Sequence, residues 1–346
     1  MYPHSFNHII KTIPLLLLIF IFKPGSDAMA QFTAADFNIT EDDTSYIDRS
    51  PSKWSIRLYS VLKFQQFGIS SNQTNNAIGY APNKFYGFGM GISRNALNLD
   101  LAFFEIKKNV AGDTLNKSKA FDFVGSLYAK AHLFEAHLHK STGLYGWINE
   151  NGGGILASKD IDIPYRPDIS ITALGINYNY LFNSGKITFG SISGLEIQKK
   201  SAGGPMAGVF FSVYDLHADS AIVPVEYDTL FEDHTIITDA FMVTAGISAG
   251  YAYTFVFPKH FYLTLSLAPG VSVTRGELKA NDEWYIGGVP VNISYKLISR
   301  GAFGYAGIKF YALISIVNDR NFLNISNDNY YLQDINKSKL VFGYRF

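Results

Sequence analysis

Residues 241–255 read Phe-Met-Val-Thr-Ala-Gly-Ile-Ser-Ala-Gly-Tyr-Ala-Tyr-Thr-Phe, and their parity decides the fold. Phe241, Val243, Ala245, Ile247, Ala249, Tyr251, Tyr253 and Phe255 alternate with Met242, Thr244, Gly246, Ser248, Gly250, Ala252 and Thr254. Side chains of a strand point alternately to its two faces, so this is a strand with an apolar, aromatic-ended face and a small, polar one. Three further runs repeat the pattern. Trp54, Ile56, Leu58, Leu62 and Phe64 oppose Arg57, Tyr59, Lys63 and Gln65, and Phe261, Leu263, Leu265 and Leu267 oppose Thr264, Ser266 and Ala268. Val289, Val291, Ile293, Tyr295 and Leu297 oppose Asn292, Ser294 and Lys296. A soluble sandwich alternates as well, but long aromatic-ended apolar faces fit lipid outside and a polar lumen inside.

Composition agrees. The 346 residues carry 29 Lys and Arg against 29 Asp and Glu, a net charge of zero, and no cysteine. That excludes a disulfide scaffold, a cysteine-ligated metal site and a broadly basic nucleic-acid binder. With 17% charged and 15% aromatic residues and a mean hydropathy of +0.06, the chain is far less apolar than a helical membrane protein.

The N-terminus reads as a secretory address. Lys11 precedes the apolar run 13–22, and Ala28-Met29-Ala30 supplies small residues before Gln31, the pattern of a cleaved signal peptide over 1–30. A run of that length falls short of the ~20 helical residues that span a bilayer. Residues 31–53, with Glu41, Asp42, Asp43 and Asp48, read as a periplasmic lead-in or plug, and 54–346 as the barrel.

Connections of two lengths alternate. Tight turns are expected at 94–96, 131–132, 183–185, 258–259 and 299–301, and long loops at 67–85, 107–119, 146–167, 200–237, 274–287 and 318–337. Five short and six long connections join twelve strands, with both termini at the periplasmic rim. Segment 204–215 leaves fourteen strands as the alternative. The fold class is thus all-β, a transmembrane antiparallel β-barrel of the outer membrane. At the C-terminus Leu340, Phe342, Tyr344 and terminal Phe346 share one face, the form of a terminal strand that barrel-assembly machinery recognises.

Several segments carry a family resemblance: Tyr46-Ile47-Asp48, Tyr80-Ala81-Pro82-Asn83, Asn177-Tyr178-Asn179-Tyr180-Leu181-Phe182-Asn183, Gln198-Lys199-Lys200-Ser201-Ala202-Gly203, Pro269-Gly270 and Gly343-Tyr344-Arg345-Phe346. Together they resemble a Bacteroidetes outer-membrane family known only as a domain of unknown function. Gly204 departs from that pattern, which has serine there. The resemblance implies an outer-membrane location and transfers neither an activity nor a site residue.

Candidate chemistry is sparse. Glu135, His137, His139 and Ser141 share one parity, and serine with histidine and carboxylate is the material of an acyl hydrolase acting on lipid or lipopolysaccharide. Alternate residues of one strand lie ~6.6–6.8 Å apart, so one strand seldom assembles a triad, and a polar lumen lining is the plainer reading. Two histidines without a third ligand do not make a metal site. Arg57, Lys63, Gln65, Glu135, Glu196, Lys296, Lys309 and Arg345 are expected in the lumen, with Lys130 and Lys199 beside them. Gly87, Gly89 and Gly91 alternate with Tyr86, Phe88, Met90 and Ile92, so they bare an inner face beside Arg57 or Tyr59 and form no phosphate loop. Asp215, Asp219, Glu226, Asp228, Glu232 and Asp233 make 200–237 an acidic outer loop. The functional expectation is a narrow channel or conduit for a small polar solute, with no cofactor. A hydrolase, or a structural or adhesive barrel using its outer loops, are the alternatives.

Overall fold

The polar faces of the alternating runs point inward and the apolar faces outward, all around a closed ring. The computed structural model describes residues 42–49, 54–71, 74–82, 85–105, 118–150, 161–231, 236–280, 283–324 and 329–346. The expected signal peptide, the rest of the lead-in, the loop residues 106–117 and 151–160, and Glu232 and Asp233 lie outside them. So do the side chains of Phe64, Phe85, Tyr86, residues 103–105 and 280–292, Asn324, Asn329 and Tyr330.

The strands are β1 (Ile47–Asp48), β2 (Trp54–Ser71), β3 (Ala77–Ala81), β4 (Phe85–Arg94), β5 (Leu97–Glu105), β6 (Lys119–Ala129), β7 (His132–Asn149) and β8 (Ile161–Leu181). They continue as β9 (Ile197–Gln198), β10 (Ala202–His217), β11 (Asp239–Phe257), β12 (Phe261–Ala280), β13 (Glu283–Ala306), β14 (Phe310–Asn324) and β15 (Asn329–Arg345). Each ring strand is antiparallel to its neighbours. The ring closes where β15 pairs with β2, from Arg345↔Ser55 to Asn329↔Ser71. Of the thirteen strands in this sheet, β3 pairs only with the upper ends of β2 and β7, so twelve form the ring. Segment 204–215 lies within β10, bonded to both β8 and β11, which settles the count at twelve.

Outward positions form an apolar belt: Leu58, Phe88, Met90, Ile247 and Ile293 are 61–78% exposed. Trp54, Phe182, Phe257, Phe261, Phe310 and Phe346 cluster at turns and strand ends of the terminal rim, an aromatic girdle. A belt of this extent has no place in water, and the fold is that of a transmembrane β-barrel.

Several connections differ from the expected ones. Ser299-Arg300-Gly301 lies inside β13, because Arg300 points into a polar lumen and finds Glu135 there; the actual turn is 307–309. Loops 274–287 and 318–337 are mostly strand. The turn at 183–185 opens a longer segment, 182–201, that folds back into the barrel mouth because Ile187, Phe189, Ile192 and Ile197 need burial.

That segment makes one of two lumen fillings. At the terminal rim its apolar residues pack against Leu133, Leu181, Met206 and Tyr262 of the wall. Segment 42–49 docks beneath it through the β1–β9 pair, with Lys199 N–H donating to the Tyr46 carbonyl at 2.7 Å. At the opposite rim the expected acidic outer loop instead turns inward after His217. Ala218, Ile222, Val223 and Phe231 join Phe67, Tyr80, Leu144, Tyr214 and Tyr331 in a buried core. Wall groups fasten it: Arg166 donates to the carbonyls of Ser220 and Ala221 at 2.9 Å each, and Asn76 to that of Leu230 at 2.9 Å.

Candidate functional site

Between the fillings the lumen is lined with charge. Arg57 Nε donates to Asp100 Oδ1 at 2.7 Å, and Lys339 Nζ to Asp100 Oδ2 at 2.7 Å. Asp122 meets Lys63 at 3.5 Å, Lys337, and the Nδ1 of His139. Lys296 meets Asp319 at 2.7 Å, and Arg300 reaches across from β13 to Glu135 on β7. Higher up, Arg320 meets Asp334 at 2.8 Å. The bonds of Arg57 and Lys339 to Asp100, of Lys63 and Lys337 to Asp122 and of Arg300 to Glu135 join strands that are not neighbours and cross-brace the ring, while His139–Asp122, Lys296–Asp319 and Arg320–Asp334 link adjacent strands. Ion pairs hidden from water need such full satisfaction, because desolvation offsets much of their attraction.

Glycines make room for the braces. A Cβ on Gly91 would lie 2.3 Å from Asp100 Oδ1 and 2.5 Å from Arg57 Nε, and one on Gly89 would strike the Tyr59 ring at 2.2 Å. Bare positions on β4 therefore let β2 side chains pass over it to β5. Hydroxyl ladders complete the polar wall on the other side: Thr244, Thr274 and Ser294 are linked at 3.0 and 3.1 Å, and Thr254, Thr264 and Ser191 at 2.9 and 3.1 Å. What remains open is a central cavity of about 130 Å³, bordered by Glu135, His137, Asn177, Arg300, Ser315, Lys337 and Lys339 among others.

Arg57, Lys63, Gln65, Glu135 and Lys296 all project into this middle layer. Arg345 is buried lower, at the terminal mouth, where it donates to the carbonyls of Gly194 and Gly307 and so ties the inner segment to the wall. Glu196 lies on that inner segment and not on a strand; it accepts from Thr188 and, at 3.2 Å, from Arg49. Burial pushes the Glu196 carboxyl up to about 7, against the opposing pull of Arg49. Lys309 is a correction: it is exposed on the 307–309 turn, because β13 continues to Ala306. Lys130 also sits in a turn, 3.9 Å from Asp42, and Lys199 is exposed and donates to the Thr44 carbonyl. Phe342, Tyr344 and Phe346 lie on the lipid face at the terminal rim.

His137, His139 and Ser141 face inward, but they do not form a relay. Ser141 Oγ donates to Gln65 Oε1 at 3.0 Å, His139 is engaged by Asp122, and the His137 ring stacks on His139 at 4.8 Å. No group of three or more His, Asp or Glu side chains among the described residues is arranged to hold a metal ion.

Asp100, Asp122, Arg300, Asp319 and Lys337 escaped the sequence reading. Asp100 alternates with Leu99 and Leu101, and Asp122 with Phe121 and Phe123, so parity alone would have found both. Lys337 extends the inward parity of Arg345.

The family model described as a domain of unknown function, DUF4421, matches residues 41–346. No curated protein matches the sequence. Among solved structures, the outer membrane protease OmpT from Escherichia coli aligns at 9% identity and a TM-score of 0.36, over 86% of this chain and 98% of that one. The β domain of the Bordetella autotransporter BrkA aligns at 8% and 0.34, over 85% and 99%. The P. putida toluene transporter TodX aligns at 9% and 0.28, over 89% and 93%. With the family match spanning every strand of the ring, the chain belongs to the family of domain of unknown function DUF4421.

Proposed function

We propose that this protein is a gated outer-membrane conduit for a small polar solute. The observation that carries the reading is a charged chamber of about 130 Å³ held between two fillings that are built from loops and fastened by hydrogen bonds to the wall. A barrel that served only as a membrane staple would have no need of a polar cavity with braced charges at its centre. In this reading segment 182–201 gates the terminal mouth and 218–231 the opposite one. The terminal rim faces the periplasm, residues 1–30 are removed on export, and Phe342, Tyr344 and Phe346 present the strand that assembly machinery receives. The apolar belt contacts lipid and the outer leaflet's lipopolysaccharide, and the source is a member of the Bacteroidetes.

Planar-bilayer conductance tests the reading. Full-length protein should be silent or open only briefly, as should barrels in which 186–199 or 219–230 alone is replaced by a short Gly-Ser turn. The barrel trimmed at both sites should conduct steadily. Silence from a doubly trimmed barrel that still folds, or steady current from the full chain, would overturn it.

A further inference from the structure

We infer that the central chamber is a binding site for one small oxyanion, with Arg300 as its principal ligand and Lys337 and Lys339 at its sides. The inference rests on the conduit reading only for its biological purpose, naming the class of solute; the binding itself is an equilibrium property of the chamber.

Charge comes first. Among the described residues, the middle layer holds the cations Arg57, Lys63, Lys296, Arg300, Lys337 and Lys339 against the anions Asp100, Asp122, Glu135 and Asp319, six against four. The Arg320–Asp334 pair above adds one of each sign and leaves the excess at two. Uncompensated charge hidden from water is costly, so an interior with two surplus cations favours an anion as its occupant.

Geometry then locates it. The Arg300 side chain is 5% exposed and gives one nitrogen, Nη2, to Glu135. Its Nε and Nη1 have no protein partner, and the residue borders the cavity. Buried guanidinium donors are seldom left idle, since each unsatisfied one carries the full desolvation penalty. The wall carboxylates are already engaged: Asp100 by Arg57 and Lys339, Glu135 by Arg300, and Asp319 by Lys296. Among the described residues a cation entering the chamber would have to compete with these pairings, whereas an anion would find the idle Arg300 N–H groups, the remaining donors of two ammonium groups and the hydroxyls of Ser126 and Ser315. A cavity of about 130 Å³ is several times the ~10–15 Å³ that one water needs on this measure, which admits phosphate, sulfate or a short carboxylate with a few waters.

Because the chamber is filled above and below, the test lets the barrel fold around its ligand. Full-length protein is refolded in detergent with radiolabelled inorganic phosphate, labelled acetate or rubidium ion, and each sample is then passed through a desalting column. Folding is checked by the mobility of the unboiled band. The wild-type barrel should retain phosphate, acetate or both, and no rubidium. Arg300→Gln should weaken retention at least about tenfold, the size of one charge-assisted hydrogen bond. Arg300→Lys, which keeps the charge and loses the guanidinium donors, should fall between them. Whichever anion is retained should also raise the temperature at which the wild-type band shifts, a readout that needs no variant.

Retention of neither anion by the wild-type barrel, equal retention by a folded Arg300→Gln barrel, or retention of rubidium would each overturn the site. A barrel that keeps phosphate yet never conducts after trimming would leave the site standing and remove the conduit. Conduction without retained anion would do the reverse.

Discussion

Gly91 shows how far a single position constrains the lumen. Its missing side chain is the passage through which Arg57 reaches Asp100, so Gly91→Ala should push that pair apart at a cost of about 1–3 kcal/mol. Gly125→Ala, whose new Cβ would meet nothing nearer than Leu99 at 3.5 Å, should be neutral. The temperature at which the unboiled gel band shifts distinguishes the two. Asp122 is the harsher case, because Lys63, Lys337 and His139 all converge on it. Asp122→Ala would leave two lysines facing each other in a buried layer, and about 3–5 kcal/mol of destabilisation is expected in a urea unfolding series. Undiminished stability there would mean that the lumen is wet enough to solvate both ammonium groups.

At the scale of elements, the inner segment 182–201 is the least wall-like part of the molecule, and Glu196 makes its docking sensitive to pH. The carboxyl titrates near 4.5 when undocked and at about 7 when buried, so the docked state binds the proton more tightly. Docking is therefore strongest below the undocked value and weakens as pH rises from about 4.5 to 7, then levels off. The charged groups around it are Arg49, which opposes the shift, and Asp42, which reinforces it. Hydrogen exchange at residues 186–199 should be faster at pH 8 than at pH 5 beyond the intrinsic chemical rate, and Glu196→Gln should abolish the difference. A difference that survives in Glu196→Gln would assign the sensitivity elsewhere.

The wall strands were legible in the sequence because lipid on one side and a polar lumen on the other impose strict two-residue periodicity. The inward segments were not. Ser299-Arg300-Gly301 has the composition of a turn, yet a polar lumen accepts the same residues within a strand, so local chemistry pointed the wrong way. Asn183-Ser184-Gly185 does begin a turn, but where the chain goes next depends on Ile187, Phe189 and Ile192 finding apolar wall to cover, a tertiary fact. The acidic residues after Asp215 suggested a solvated loop, while the apolar Ile222, Val223 and Phe231 among them carried the chain inward.

For the whole molecule, twelve strands make a ring wide enough to need filling, and this chain fills it twice from its own loops while keeping a charged layer between. Pairs braced across the lumen could only be found once the ring had closed, since Lys339 and Asp100, or Arg300 and Glu135, are far apart in sequence and meet by circumference alone. Each trimmed barrel should also be less stable, because each filling buries apolar residues against the wall, and a lower unfolding midpoint in both single-trim variants checks this. The most direct measurement of a closed central chamber exploits the absence of native cysteine. Ser315, on the chamber wall, is replaced in the variant Ser315→Cys, and its reaction with a water-soluble maleimide is followed in the folded barrel. The account predicts that the thiol is protected in the full chain and reacts once both fillings are trimmed. Rapid labelling in the untrimmed, folded barrel would contradict it.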